Sequence, residues 1–281
     1  MAAFKLQSAM EYLMTYGWAI LIIAVVLGAL FALGFFNSAN LAPKVPGGGC
    51  EVYRPNGPGT TTYLNTEGTC NNGLPQVVAQ FAGVSTANIV VSNLQSSTSG
   101  TGNTITFWVN GKGANAGTAV SLGTAANNNV GFGATCFGVG GTYGVLASTV
   151  ANTFNFVAVT FNGVAGGATI YLNGQSITAA TGCNTAAALA SATSLYIGSN
   201  SNAQAFNGMV SNIQLYNASL TANEIYGLYI EGIGGVPVSL QYLIGWWPLN
   251  GNANDYSGDL HNGVSTGVTY TTAWASTYSA P

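Results

Sequence analysis

The chain has 281 residues, 48% of them hydrophobic and only 4% charged, with a formal net charge of −3. High hydrophobicity with so few charges excludes the intrinsically disordered class, and four Lys+Arg against seven Asp+Glu leave no basic patch for a nucleic acid. Solubility must then come from Asn, Thr, Ser and Gly, and the 39 Gly and eight Asn-Gly pairs signal many tight turns.

The first element is KLQSAMEYLMTYGWAILIIAVVLGALFALGFF, Lys5 to Phe36. No charge falls between Tyr12 and Pro43, and Trp18 to Phe36 is apolar throughout. Nineteen residues at about 1.5 Å each span roughly 28 Å, close to the thickness of a bilayer's hydrocarbon core. A secretory h-region is shorter, about 7–15 residues. The pattern predicts a membrane helix over residues 7–37. Glu11 stands at its edge, where a carboxylate costs a few kcal/mol unless it is solvated or paired. An interfacial position in a lone anchor would satisfy it, and so would a neighbouring cation. Lys5 and Lys44 flank the helix almost symmetrically, so basic residues do not orient it.

The stretch KLQSAMEYLMTYGWAILII resembles the class III signal of archaeal type IV pilin-like proteins. That resemblance implies a leader of residues 1–6, cleavage between Leu6 and Gln7 by a prepilin peptidase, and packing of the remaining helix in a filament core. It also implies that Glu11 pairs with the amine that cleavage creates on a neighbouring subunit. Leu6 stands where that family usually has a small residue, and Ser8 sits one place early. A plain uncleaved anchor is the alternative.

Residues 38–75 read as a Pro/Gly-rich linker and a turn-rich loop, CEVYRPNGPGTTTYLNTEGTC. The four cysteines, Cys50, Cys70, Cys136 and Cys183, show no CxxC spacing, and the only histidine is His261, so a Cys/His metal site is not expected. An even number outside the helix predicts disulfides formed in an oxidising compartment. Chain order favours Cys50–Cys70 and Cys136–Cys183 among the three pairings that four cysteines allow; buried free thiols are the other reading. With the signal resemblance, this puts the C-terminal part outside the cell membrane, at the cell surface.

From residue 76 the hydrophobic period becomes two. TITFWV sets Ile105, Phe107 and Val109 against Thr104, Thr106 and Trp108. FVAVTFNGVAGGATIYLNGQSI gives two strands and an Asn173-Gly174 turn, and GMVSNIQLY alternates again. Short strands with strong turns predict an all-β sandwich or jelly roll over residues 76–281. TANE places Thr221 at a helix N-cap and Glu224 at N3, a capping box.

The succession TITFWV, FVAVTFNG, ATIYLNGQ, LYIGSN and FNGMVSNIQLYNASLTANEIYGLY is similar to laminin G-like, concanavalin A-like jelly rolls, over most of residues 76–230. LIGWWPLNGNANDYSGDLHNGV belongs to the same resemblance but normally opens the domain, whereas here it comes last, at residues 243–264. Twenty-odd residues are too few for a second sandwich. The segment is expected to fill the missing opening strand of its own domain or to be donated to a neighbouring subunit.

Catalysis is not expected. Glycosidases normally need two carboxylates about 5–10 Å apart across the sugar bond, and Glu51, Glu67, Glu224, Glu231, Asp255 and Asp259 form no such pair on one strand. Asn252, Asn254, Asp255 and Asp259 offer oxygen donors of the type Ca²⁺ prefers, and the same residues suit Asx turns. Trp108, Trp246 and Trp247 are candidates to stack on sugars, although alternation puts at least half of them in the core. Asn217 begins a glycosylation sequon, Asn-Ala-Ser. The expectation is a structural or adhesive cell-surface protein. It would carry a laminin G-like domain for a glycan on a membrane helix, assembled as a filament or other homo-oligomer, or else anchored singly.

Overall fold

The computed structural model describes residues 3–32, 49–70, 73–94, 102–123, 129–133, 135–139, 143–162, 167–178, 180–181, 193–199 and 205–281, and omits the side chains of 3–13, 15 and 143. The chain divides into two compact units, Met1–Pro46 and Gly47–Pro281.

The first unit contains α1 (Ala3–Ala32), 30 residues rich in Ala, Leu and Met, which are strong helix formers. Its described side chains have no charged face, and large apolar groups stand open, Trp18 at 68% and Phe31 at 70% exposure. Among the described residues no helix is long and apolar enough to cross a membrane. Leu6, Gln7 and Glu11 lie on the helical backbone of α1, and their side chains are outside the described residues.

The second unit begins at Gly47 rather than at 76, because the loop expected to belong with the linker is folded onto the domain. Strands β1 (Cys50–Tyr53) and β2 (Asn65–Gly68) form an antiparallel hairpin, closed by the Cys50–Cys70 disulfide. The hairpin is held down by Val52, whose N–H donates to the Tyr256 carbonyl at 2.8 Å. Cys136 is also disulfide-bonded, and Cys183 lies outside the described residues.

The remaining strands are β3 (Val78–Ala82), β4 (Asn88–Ser92), β5 (Asn103–Gly111), β6 (Gly117–Leu122), β7 (Asn129–Phe132), β8 (Cys136–Val139), β9 (Tyr143–Leu146), β10 (Asn155–Phe161), β11 (Ala168–Leu172), β12 (Gln175–Ser176), β13 (Ser194–Ile197), β14 (Asn207–Tyr216), β15 (Leu243–Trp247), β16 (Gly263–Thr266) and β17 (Thr269–Thr271). Among the described residues two short α-helices join them, α2 (Ala147–Val150) and α3 (Ala222–Ile230). They build an eight-stranded sheet, β12-β11-β10-β5-β14-β3-β17 with β15 also on β14, and a seven-stranded sheet, β16-β4-β13-β6-β7-β8-β9. This is the all-β sandwich that the alternating pattern predicts.

Alternation predicts a half-buried β5, yet all nine of its residues are buried. Ile105, Phe107 and Val109 face the core between the sheets, where they join Val120, Leu122 and Leu195. Trp108 on the opposite face enters a second core with Phe156, Tyr216, Trp274, Val52 and the α3 residues Ile225 and Leu228. The outer face of the eight-stranded sheet is therefore roofed by α3, the disulfide hairpin and the C-terminal tail. The capping box that starts α3 is present: the Thr221 hydroxyl accepts from Glu224 N–H, and the Glu224 carboxylate accepts from Thr221 N–H at 2.8 Å.

The displaced C-terminal motif lies within its own domain. β15 runs antiparallel to β14 from Ile213↔Trp247 to Tyr216↔Leu243, while β3 occupies the other half of the same edge, Asn207 to Val210. Two short strands thus share one edge of β14 end to end. Leu243 and Trp246 enter the outer core, and Ile244 and Trp247 the inner one. Gly245 is required between them, since a Cβ there would meet the Trp247 ring at 2.1 Å. The segment then crosses to the other sheet, where β16 pairs with β4.

Candidate functional site

Where β15, the disulfide hairpin and the Ile233–Val236 loop converge, they leave a cleft of about 190 Å³. Its polar lining comes from Asn212, Asn250, Asn252, Tyr256 and the Trp246 edge, and its apolar wall from Leu74, Pro75, Ile233 and Val236. Among the described residues no Asp, Glu, Lys, Arg or His lines it.

A β-bulge supplies the cleft's central amide. The pairing of β14 with β5 shifts between Ser211 and Gln214, and Asn212 takes a positive φ of 49°, a backbone state that Asn tolerates better than most residues. Bulges re-aim side chains, and here Asn212 is turned toward Trp246. Its Oδ1 accepts from Trp246 Nε1 at 2.8 Å, and its Nδ2 donates to the Gly235 carbonyl at 2.8 Å. Bonded through both its oxygen and its nitrogen, the amide fixes one indole and one loop at the base of the cleft.

The rim is less committed. Asn250 is exposed, and its Oδ1 accepts from the N–H groups of Gln76 and Val77 at 3.0 and 3.1 Å, so its two Nδ2 protons are unclaimed among the described residues. Tyr256 packs edge-on against Trp246, ring centroids 6.3 Å apart. Its hydroxyl accepts from Asn252 Nδ2 at 3.3 Å, which leaves its own proton free to donate. The cleft therefore presents amide and phenol donors beside apolar surface, without charge. That chemistry suits a neutral polyhydroxylated ligand.

Of the residues expected to hold Ca²⁺, Asn252 Oδ1 accepts from Asn254 N–H at 2.9 Å, an Asx turn. Asp255 accepts from Trp246 N–H, Ser257 N–H and His261 N–H at 2.8–2.9 Å, and from the Ser257 hydroxyl at 2.8 Å. Asp259 pairs with Arg54 at 2.9 Å and accepts from Gly59 N–H at 2.7 Å. Both carboxylates thus hold protein donors. Among the described residues no group of three or more His, Cys, Asp or Glu is placed to bind a metal ion.

The three tryptophans correct an expectation. Trp108, Trp246 and Trp247 are 2%, 3% and 0% exposed, so none offers an open ring face to a sugar. Roofing of the outer sheet face buries Trp108 and Trp246, and the inner core takes Trp247. Asn217 is exposed in the turn between β14 and α3. Asp255, Ser257 and His261 do come together, but Ser257 is fully buried and its hydroxyl bonds Asp255, while His261 Nδ1 faces the Ile244 carbonyl at 3.0 Å. The arrangement ties a turn and does not prime a nucleophile.

Sequence reasoning missed Asn212, Asn250, Tyr256 and Arg54. Only the aromatic and Asn-rich character of the 243–264 segment pointed near the cleft. The bulge at Asn212 and the docking of the hairpin left no local signal.

A family model described as the concanavalin A-like lectin/glucanases superfamily matches residues 82–226. The chain belongs to this superfamily. No curated protein matches it in sequence. Among solved structures, it is similar to a candidate carbohydrate-binding protein of Bacteroides ovatus, at 15% identity and TM-score 0.49 over 81% of this chain and 70% of that one. It is also similar to a heptameric SAP-like pentraxin of Limulus polyphemus, at 13% identity and TM-score 0.45 over 70% and 94%. A sialidase of Trypanosoma rangeli aligns with 49% of this chain and 24% of its own, at 18% identity and TM-score 0.33. At these similarities none speaks to what this chain binds. The superfamily match ends before β15, so that strand and the lining of the cleft other than Asn212 lie outside the matched span.

Proposed function

We propose that the chain is a surface-displayed, lectin-like binding protein that takes a neutral glycan in the cleft beside β15 and has no hydrolytic activity. The observation that carries this reading is the lining itself: amide and phenol donors against apolar surface, with no carboxylate to serve as acid or nucleophile. Membership of a superfamily that includes lectins supports it. The apolar exposure of α1 supports a second part of the proposal, insertion of that helix in a membrane with the β-domain outside the cell. Cleavage before Gln7 and pairing of Glu11 within a filament complete the pilin-like version; a singly anchored chain is the alternative.

Screening the full chain in detergent against immobilised neutral oligosaccharides tests the binding reading. Asn250→Asp keeps the acceptor for Gln76 and Val77 N–H but removes the Nδ2 donors. It should weaken a retained glycan by about tenfold, the loss of roughly one good hydrogen bond. Retention unchanged in Asn250→Asp and in Tyr256→Phe would place the glycan elsewhere. Mass spectrometry of the native N-terminus decides between the pilin-like and anchored versions. A chain starting at Gln7 is expected for the first and an intact leader for the second.

A further inference from the structure

We infer a second binding site on the outer face of the eight-stranded sheet, built around Lys112 and suited to a sugar that carries a carboxylate. It is separate from the neutral cleft and does not rest on it.

Charge is the starting point. The unit Gly47–Pro281 contains two basic residues, Arg54 and Lys112, against six acids. Arg54 is buried and spent on Asp259, Ser257 and Leu243. Lys112 is exposed, and among the described residues no carboxylate pairs with it. Among the described residues of the unit it is thus the one uncommitted cation, in a surface that otherwise avoids ions.

Its position is defined. Where the roof over the sheet stops, a groove of about 440 Å³ opens, lined by Gln80, Asn110, Lys112, Asn152, Asn207 and Thr277 over Met209. Strand register explains the cluster: Met209 sits opposite both Gln80 and Asn110, so three strands present these side chains in one row. The chain neighbours of that row, Phe81, Val109 and Val210, face the other way, into the inner core. Among the described residues no acid lines the groove.

The groove is also stiffly framed. Lys112 N–H donates to the Asn207 carbonyl at 2.9 Å. Gly113 N–H donates to Asn152 Oδ1 at 3.1 Å, and Asn110 Nδ2 donates to Thr277 Oγ1 at 2.9 Å. These bonds fix the backbone under Lys112 and leave working groups free. Among the described residues, the side chains of Gln80, Lys112 and Asn207 have no hydrogen-bond partner, and Asn152 keeps its Nδ2. Amides match sugar hydroxyls as paired donor and acceptor, Met209 offers apolar surface to ring C–H groups, and a single ammonium meets a single carboxylate.

The test uses the full chain in detergent and two probes, an oligogalacturonate and the same oligomer with its carboxylates reduced to alcohols. Titration calorimetry at low and high salt reads the affinities. The acidic oligomer should bind at least about fivefold more tightly at low salt and lose that margin at high salt. Lys112→Gln should remove the margin for the acidic oligomer while leaving the reduced one unchanged. Asn207→Ala, which keeps the charge and the backbone bond, should weaken both. Asn250→Asp in the separate cleft should alter neither, which keeps a failure of the cleft reading distinct. Equal affinity for the two oligomers, or a Lys112→Gln variant with wild-type preference, overturns the proposal.

Discussion

Arg54 shows how one residue replaces several contacts in a domain nearly free of ions. Its guanidinium reaches the carbonyls of Ser257 and Leu243 at 2.9 and 2.8 Å, the Thr60 carbonyl, and the Asp259 carboxylate. It therefore stitches the disulfide hairpin to the C-terminal segment. Removing one member of a buried pair leaves the other charge uncompensated, which costs about 3–5 kcal/mol, whereas replacing both by apolar groups is often neutral. Arg54→Leu should therefore destabilise strongly, and adding Asp259→Leu should recover a large part of that loss. Urea unfolding followed by tryptophan fluorescence measures both; additive losses would deny the coupling. A second residue-scale effect lies on the hairpin, where Glu51 faces Glu67 directly. Burial first, and the Glu67 charge second, push the Glu51 carboxyl above its usual range. Glu67→Gln should stabilise the chain at pH 7 by some tenths of a kcal/mol, the scale of a like-charge cross-strand pair, and the gain should fade in acid as Glu51, with its raised pKa, protonates.

At the scale of elements, β15 and α3 make opposite lessons. The capping box of α3 was legible because its signal is local, four residues with fixed roles. Thr221→Ala should cost about 1 kcal/mol, seen as a lower unfolding midpoint with an unchanged slope. The strands were legible too, since alternation survives in β5, β10 and β11; in β14 the bulge between Ser211 and Gln214 breaks it, leaving Met209 on the outer face and Ile213 and Leu215 on the inner one. Burial of both faces of β5 was not legible, because the rings packed on Trp108 include Tyr229 and Tyr278, and its outer core draws on residues 52, 225, 228 and 274, all far away in sequence. The same holds for the cleft. Asn212 in GMVSNIQLY reads as an ordinary outward strand residue, and only its positive φ and the arrival of Trp246 give it a role. The sugar-stacking expectation failed for that reason: tryptophans that look available on one strand are roofed by another part of the chain. β15 itself should be indispensable. Ending the chain after Gly235 exposes half an edge of β14 and empties both cores of LIGWW side chains, so the truncated chain should lose its cooperative melt. An unaltered melting temperature would make the segment an appendage.

The whole molecule should respond weakly to acid. Three described carboxyls carry shifts, and they oppose one another. Burial raises Glu51 and also Asp259, against the pull of Gly59 N–H and Arg54, whereas the Ser239 hydroxyl and the cap bonds lower Glu224. For the raised pair, the folded state holds its protons more tightly. Their effect therefore adds stability as pH falls through their folded pKa values toward the unfolded ones. Glu224 stabilises above its unfolded value and loses that contribution as pH falls through its lowered one. The melting temperature should then move by no more than about 3 °C between pH 7 and pH 4, the shift that about 1 kcal/mol gives a domain of this size. A steep fall across that range, as in an ordinarily charged domain, would contradict it.

The placement of β15 also sets a clock. Arg54 waits for a partner 203 positions further along the chain, and the edge of β14 beside Ile213 stays open until Trp247 arrives. A ribosome or a translocation channel delivers the chain from its N-terminus, at about 5–20 residues per second during synthesis. The edge of β14 cannot be completed until β15 has emerged. Until then the chain is threadable, with half an edge of β14 unpaired.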